Sequence, residues 1–296
     1  MPPDTDLLLE RRRLKRRLGW WRGAAVLLLL LGVFVAFAPR LSLPGGAHVA
    51  RLPVRGFIGD DARLIRALDE AARNPALRAV VVTIDSPGGS VSGGEALHGA
   101  LARMRAAGKP VVAAMGGTAT SAGYMVALPA ERVFAREATL TGSIGVILHS
   151  FEASELMATL GVRAHTIASG PLKDQPSPFR PLTEEGRAAL TAVVGDMHEQ
   201  FVAMVATGRR MEPARVRELA DGRVMTGRQA LGAGLVDAIG GEAEARRWLA
   251  QQHNVSESLP IRDIDPRNPA ERVFSRGAAL VWGAAVESLA ALLAPR

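Results

Sequence analysis

Two stretches constrain the fold most, because each runs from an apolar β pattern through glycines into a helix. Residues 79–84 read AVVVTI, a short β-branched run without polar alternation, suited to a strand covered on both faces. A sharp loop follows, from Asp85 through Pro87, Gly88 and Gly89 to Ser90. A helix then runs to about 107, where Gly108, Lys109 and Pro110 stop it. Ser92 and Glu95 have capping-box spacing at its start. The pattern repeats with a strand over 111–115, a glycine turn over 116–120, and a helix from about Ser121 to Leu128 before Pro129. Further strands are expected over 48–58, 131–135 and 162–167, and helices over 60–72, 154–160, 183–207, 212–220 and 242–252. Such alternation predicts an α/β fold with a mostly parallel sheet and right-handed crossovers. Residues 254–270 are polar and read as a loop or linker.

The N-terminus has another character. RRRLKRR (11–17) precedes a 16-residue apolar run over 23–38, with Trp20, Trp21 and Arg22 just before it. A spanning helix needs about 20 apolar residues. Arg22 can snorkel, and the tryptophans suit the interface. The reading is a basic cytoplasmic tail (1–18), one transmembrane anchor (19–38) and a short linker (39–47), with the rest of the chain outside. A cleaved signal peptide competes, since Ala36-Phe37-Ala38 has the A-x-A form, but Pro39 would follow the cut. Residues 254–296 form a C-terminal extension. Its apolar stretch, 277–294, is interrupted by Glu287 and reads as an amphipathic helix rather than a second span.

Net charge is +7, but residues 1–40 hold eight Lys/Arg against three Asp/Glu, a net +5. The basic excess belongs to the membrane flank and argues against a nucleic-acid partner. There is no cysteine, which excludes disulfides, thiolate metal sites and a thiol nucleophile. No spacing of ligands suggests a metal, and no cofactor is expected.

In an open α/β sheet, ligands sit at the carboxyl ends of the strands, so both glycine turns face one site. Gly88 and Gly89 allow close backbone approach, and their N–H groups could hold an oxyanion; taken alone, a tight turn with no ligand is the better explanation of them. Ser121 stands at a strand-to-helix junction, where a serine is usually an N-cap. Its Oγ could instead be a nucleophile, with the Ala122 N–H as a second oxyanion donor, although G-x-S-x-G is absent. A hydroxyl nucleophile needs a base. His48, His98, His149, His165, His198 and His253 sit in no catalytic motif. Lysine occurs only at 15, 109 and 173, against a large arginine excess. Lys173, in a small-residue loop, can lose a proton as arginine cannot; by itself it would read as a surface residue. Burial would be needed to bring a lysine, ordinarily near ~10.4, down to neutrality.

Together, IDSPGGSVSGGEAL (84–97), TATSAGYMVAL (118–128), TLTGSIGVIL (139–148), SGPLKD (169–174) and DGRVMTGRQALGAGLVD (221–237) resemble the signal peptide peptidase A family, also called protease IV, in its short bacterial form. The resemblance covers roughly 48–250, and a Ser-Lys peptidase domain is placed over 48–253. It implies a Clp-protease/crotonase-like fold, Ser121 as nucleophile, Lys173 as general base, and Gly89, beside Gly88, in the oxyanion hole. Ser169 is a candidate to orient Lys173. The family usually follows the serine with two glycines; here Ala122 intervenes, and Ser90 replaces a third glycine after Gly89. The expected protein is a membrane-anchored serine endopeptidase of the bacterial inner membrane. Its catalytic domain would be periplasmic, its assembly a ring or dome-shaped homo-oligomer, and its substrates peptides such as cleaved signal peptides. A crotonase-like acyl-CoA enzyme and a non-catalytic membrane scaffold are the alternatives.

Overall fold

The computed structural model describes residues 15–28 and 46–266. Residues 47–266 form one compact unit. The other unit is described only through a helix over 15–28 and Gly46. Among the described residues no helix is long and apolar enough to cross a membrane. The second half of the expected anchor, 29–38, and the expected C-terminal helix lie outside the described residues.

The compact unit is built on β1 (His48–Ile58), β2 (Leu77–Gly89) and β3 (Val111–Thr120). These pair in parallel in the order β3-β2-β1. β8 (Ile261–Asp263) adds in parallel to β1, so part of the polar 254–270 stretch is an edge strand rather than loop. On the other flank β3 has two successive partners. Its first half, Val112–Met115, pairs with β4 (Arg132–Ala135), which pairs with β7 (Ala238–Ile239). Its second half, Thr118–Thr120, pairs with β5 (Leu140–Gly142), which meets β6 (Val224–Thr226) antiparallel. The segment expected to be a glycine turn after 115 is therefore strand. Its exposed edge groups find partners, as Asp85 Oδ1 accepts the Thr118 N–H at 3.0 Å and Thr139 Oγ1 donates to the Gly116 carbonyl at 2.7 Å.

The β2 run behaves as its sequence dictates. Val80, Val82 and Ile84 face the main core, while Ala79 and Val81 face a smaller one. The main face is covered by α1 (Ala62–Ala72), α2 (Val91–Ala106), α3 (Ala122–Ala127) and α5 (Glu184–Arg209). α4 (Ser154–Thr159), α6 (Pro213–Leu219) and α7 (Gly227–Gly232) are short. The opposite face packs on Ala245 and Leu249 of α8 (Glu242–His253). Asp61 caps α1, accepting from Arg63 and Leu64, and Thr183 caps α5, accepting from Gly186. At α2 the cap is Ser90, whose Oγ accepts the Gly93 N–H at 3.1 Å; the capping box expected at Ser92 is not formed. No strand forms over 162–167, which is irregular and exposed.

α5 is riveted to the sheet at its C-terminal end. Arg209 donates Nη1 and Nη2 to the Asp237 carboxylate at 2.9 and 2.7 Å, and its Nε to the Gly234 carbonyl. Asp237 also accepts the Val133 N–H at 2.7 Å. Burial pushes the Asp237 carboxyl up, but the Arg209 hydrogen bonds outweigh it and hold the group below the usual range. Its contribution is complete above the unfolded-state pKa and is lost as pH falls through the depressed folded value. Asp237→Ala strands a guanidinium that is only 9% exposed, and is expected to lower unfolding free energy by about 3 kcal/mol. Urea titration at neutral pH checks this; a loss under ~1 kcal/mol would mean that the pair is dispensable.

Candidate active site

Ser121 sits where β3 ends and α3 begins. It is the N-cap residue of α3, yet its side chain makes no capping bond. Its backbone is left-handed, with φ 53° and ψ −122°. A non-glycine residue rarely adopts such geometry without being held there. The restraints are visible. The Ser121 N–H donates to the Gly142 carbonyl at 3.0 Å, and the Ser121 carbonyl accepts from Tyr124 and Met125. The following helix is wholly buried, and Tyr124 anchors it by donating its hydroxyl to the Leu235 carbonyl at 2.8 Å. Burial raises the Tyr124 pKa, so the phenol is a fixed donor rather than a base.

The first glycine turn lies against this elbow. Gly88 has φ 122°, and a Cβ there would stand 2.9 Å from Ser121 Cβ and 3.3 Å from its Oγ. A Cβ on Gly89 would instead strike the Ile58 backbone, 2.6 Å from its C and N atoms and closer still to its O. Ser86 locks the turn. Its Oγ, fully buried, donates to the Gly56 carbonyl at 2.6 Å and accepts the Gly88 N–H at 3.1 Å. Thr120 Oγ1 donates to the Pro87 carbonyl at 2.8 Å, fastening the two turns together. Ser121, Gly88, Gly89 and Ala122 are thus brought together.

Lys173 and Ser169 are not joined to them. Both are exposed on the run that precedes α5, and neither side chain makes a hydrogen bond among the described residues. The Lys173 N–H closes a turn onto the Gly170 carbonyl at 3.2 Å. The Asp174 carboxylate pairs with Arg180, Nε to Oδ2 at 3.1 Å. The histidines stay structural: His198 bonds the Ala220 carbonyl at 2.8 Å, and burial lowers the His98 pKa.

The restraining residues Ser86, Thr120, Thr141 and Gly142 went unremarked in the sequence except as parts of matching segments. Thr141 Oγ1 donates to the Ala119 carbonyl at 2.8 Å, and Ser143, next to the Gly142 acceptor, also has a left-handed φ, 49°. β5 carries Thr141 and Gly142 on only three residues, too few for a period to register.

A hydroxyl on a strained strand-to-helix elbow, pressed against a glycine turn in a mostly parallel α/β sheet, defines the scaffold of a serine hydrolase. Residues 103–256 match peptidase family S49. A Synechocystis protein described as a protease is 40% identical over 234 residues, covering 77% of this chain and 83% of that one. A signal peptide peptidase SppA of Enterococcus faecium is 32% identical, over 72% of this chain and 66% of its own. Protease 4 of Salmonella typhi is 36% identical, over 62% of this chain but 30% of its own length. The chain belongs to peptidase family S49, the signal peptide peptidase A family, and is a serine-type peptidase.

Proposed function

We propose that this chain is a membrane-anchored endopeptidase in which Ser121 is the nucleophile and Lys173 the general base. The observation that carries the reading is the Ser121 backbone, held left-handed with its hydroxyl uncapped and Gly88 cleared away beside it. Neutral Lys173 takes the Ser121 proton, Oγ attacks the scissile carbonyl, and the same amine then protonates the leaving nitrogen. Water releases the acyl-enzyme. The oxyanion donors are the N–H groups of Gly89 and Ala122. Gly88 is a weaker candidate, because its N–H is taken by Ser86. Successive strand N–H groups point to opposite sides. The Ser90 N–H is taken by the Ile58 carbonyl of β1, and the alternation of strand N–H groups supports the Gly89 N–H facing the other way, toward β3. The Ala122 N–H is one of the unpaired donors at a helix start.

Lys173 reaches the hydroxyl through assembly. The run before it exposes Ile147 (79%), Phe151 (84%), Leu160 (69%) and Ile167 (101%), large apolar side chains that a partner surface would cover. A second copy covering that run would order it and desolvate the amine, as a base near neutrality requires. The basic tail and apolar run at the N-terminus support a single-pass anchor in the bacterial inner membrane with the peptidase outside. Membrane-derived peptides, such as cleaved signal peptides, fit that location.

The test is hydrolysis of apolar fluorogenic peptides by the full chain and by Lys173→Ala, with oligomer size measured by sedimentation. Lys173→Ala is expected to lower kcat on the order of 10⁴-fold. Equal activity in the variant would remove Lys173 from the chemistry. Acyl-CoA turnover without peptidase activity would turn the reading toward a crotonase-type enzyme.

A further inference from the structure

Lys173 is followed by a residue that ought to hinder it. Asp174 places a carboxylate one position from an amine that must shed its proton, and an opposite charge nearby stabilises the ammonium form. The structure has an arrangement that removes this carboxylate. Arg180 makes two contacts to the same residue, its Nε at 3.1 Å from Asp174 Oδ2 and its Nη2 donating to the Asp174 main-chain carbonyl at 3.1 Å. The Nε and Oδ2 atoms are buried; their contact is an ion pair without hydrogen-bond alignment, and the hydrogen bond proper is the one from Nη2 to the carbonyl. The next residue deepens the hold. Gln175 Oε1 accepts the Thr183 N–H at 3.4 Å, and its side chain lies on Gly186, where a Cβ would come within 2.6 Å of that oxygen. Residues 174 and 175 are stapled toward α5, while Lys173, immediately before them, stays exposed.

Other charged groups lie on the segments packed here. The Ala153 N–H bonds the Pro178 carbonyl, which brings Glu152 and Glu155 close in the fold; Glu152 is engaged by Ser154. The first turn of α5 carries Glu184, Glu185 and Arg187, with Glu184 and Arg187 paired at 3.9 Å. Arg163 and His165 precede the turn on the exposed run.

We propose that Arg180 is a positioning residue for the peptidase reaction, pairing with the Asp174 carboxylate and main-chain carbonyl so that the charge next to Lys173 is compensated. Arginine suits the task because it stays charged at any working pH and its fork can serve a carboxylate and a carbonyl together. The inference rests on Lys173 acting as the base.

It is tested with the full chain by measuring kcat and KM for an apolar peptide from pH 6 to 10, in wild type, Arg180→Ala, Asp174→Asn, the double variant and Lys173→Ala. In Arg180→Ala the freed carboxylate is expected to move the acid limb of kcat to higher pH and to lower kcat near pH 7.5 about tenfold, with KM little changed. The double variant, lacking the offending charge, is expected to return the limb to its wild-type position. Asp174→Asn alone is expected to leave it there. A double variant as impaired and as shifted as Arg180→Ala, or an Arg180→Ala limb that does not move, would overturn the proposal and leave Arg180 a clamp on the loop. Full activity in Lys173→Ala would overturn the lysine reading itself, and this inference with it.

Discussion

Alanine at position 89 is expected to damage stability and turnover together. The obstacle is main chain, not a flexible side chain: the new Cβ would lie within 2.6 Å of the Ile58 C and N atoms. Neither strand can yield cheaply. Ile58 is buried, its carbonyl accepts the Ser90 N–H at 2.9 Å, and the Ser90 side chain caps α2. Forcing β1 and β2 apart at this point is expected to lower unfolding free energy by about 3 kcal/mol, the upper end for overpacking. It would also displace the Gly89 N–H, proposed above as an oxyanion donor. Loss of one well-aimed oxyanion donor lowers kcat on the order of 10²–10³-fold. Urea unfolding and peptide hydrolysis on the same preparation check both halves. A variant of normal stability and activity would show that the turn relaxes freely and that no oxyanion site depends on it.

Substitutions at Ser121 should separate the two quantities instead. Ser121→Ala removes only the hydroxyl, which makes no capping bond. Turnover is therefore expected to fall on the order of 10⁴–10⁶-fold while stability stays within about 0.5 kcal/mol. Ser121→Gly is the more telling variant. At φ 53° and ψ −122° glycine is unstrained, and the replacement is expected to raise stability by about 1 kcal/mol while activity vanishes. An inactive protein that melts higher than wild type would mark the elbow as strain kept for function. A Ser121→Gly protein that melts lower would mean that the left-handed backbone is the comfortable state of this loop. Retained activity in Ser121→Ala would place the nucleophile elsewhere.

The strands that local pattern revealed were those whose partners lie close in sequence or whose two faces are both covered. The 79–84 run declared itself because every residue meets a core or the sheet. Past residue 115 the same reasoning failed, since Gly116 and Gly117 look like a turn. What keeps them in the sheet is β5, a three-residue strand twenty positions on, together with Thr139 and Asp85. The 162–167 run failed the other way. Its alternation invites a strand, but β propensity is a measure of fit to neighbours, and within one copy Ile167 has none. Ser90 and Ser92 stand two residues apart with similar capping credentials, and the β1 carbonyl at Ile58, unknowable locally, settles the register. For the site, glycines and a junction serine marked the elbow. The polar side chains that hold it, Ser86 and Thr120, carry no spacing signal, because their partners are main-chain carbonyls from distant segments.

A strand with two successive partners also means that being folded and being competent are separate conditions. β4 and β7 belong to the body that Arg209 and Asp237 pin to α5. The elbow, by contrast, takes its hydrogen bond from Gly142, on the slender β5–β6 arm that leaves the same strand one step later. Short arms open at lower free energy than the body that bears them. Were this one to detach, taking Met225 out of the main core, Ser121 would lose the carbonyl that holds its amide and relax to an ordinary helix cap, leaving the sheet paired and the hydroxyl silent.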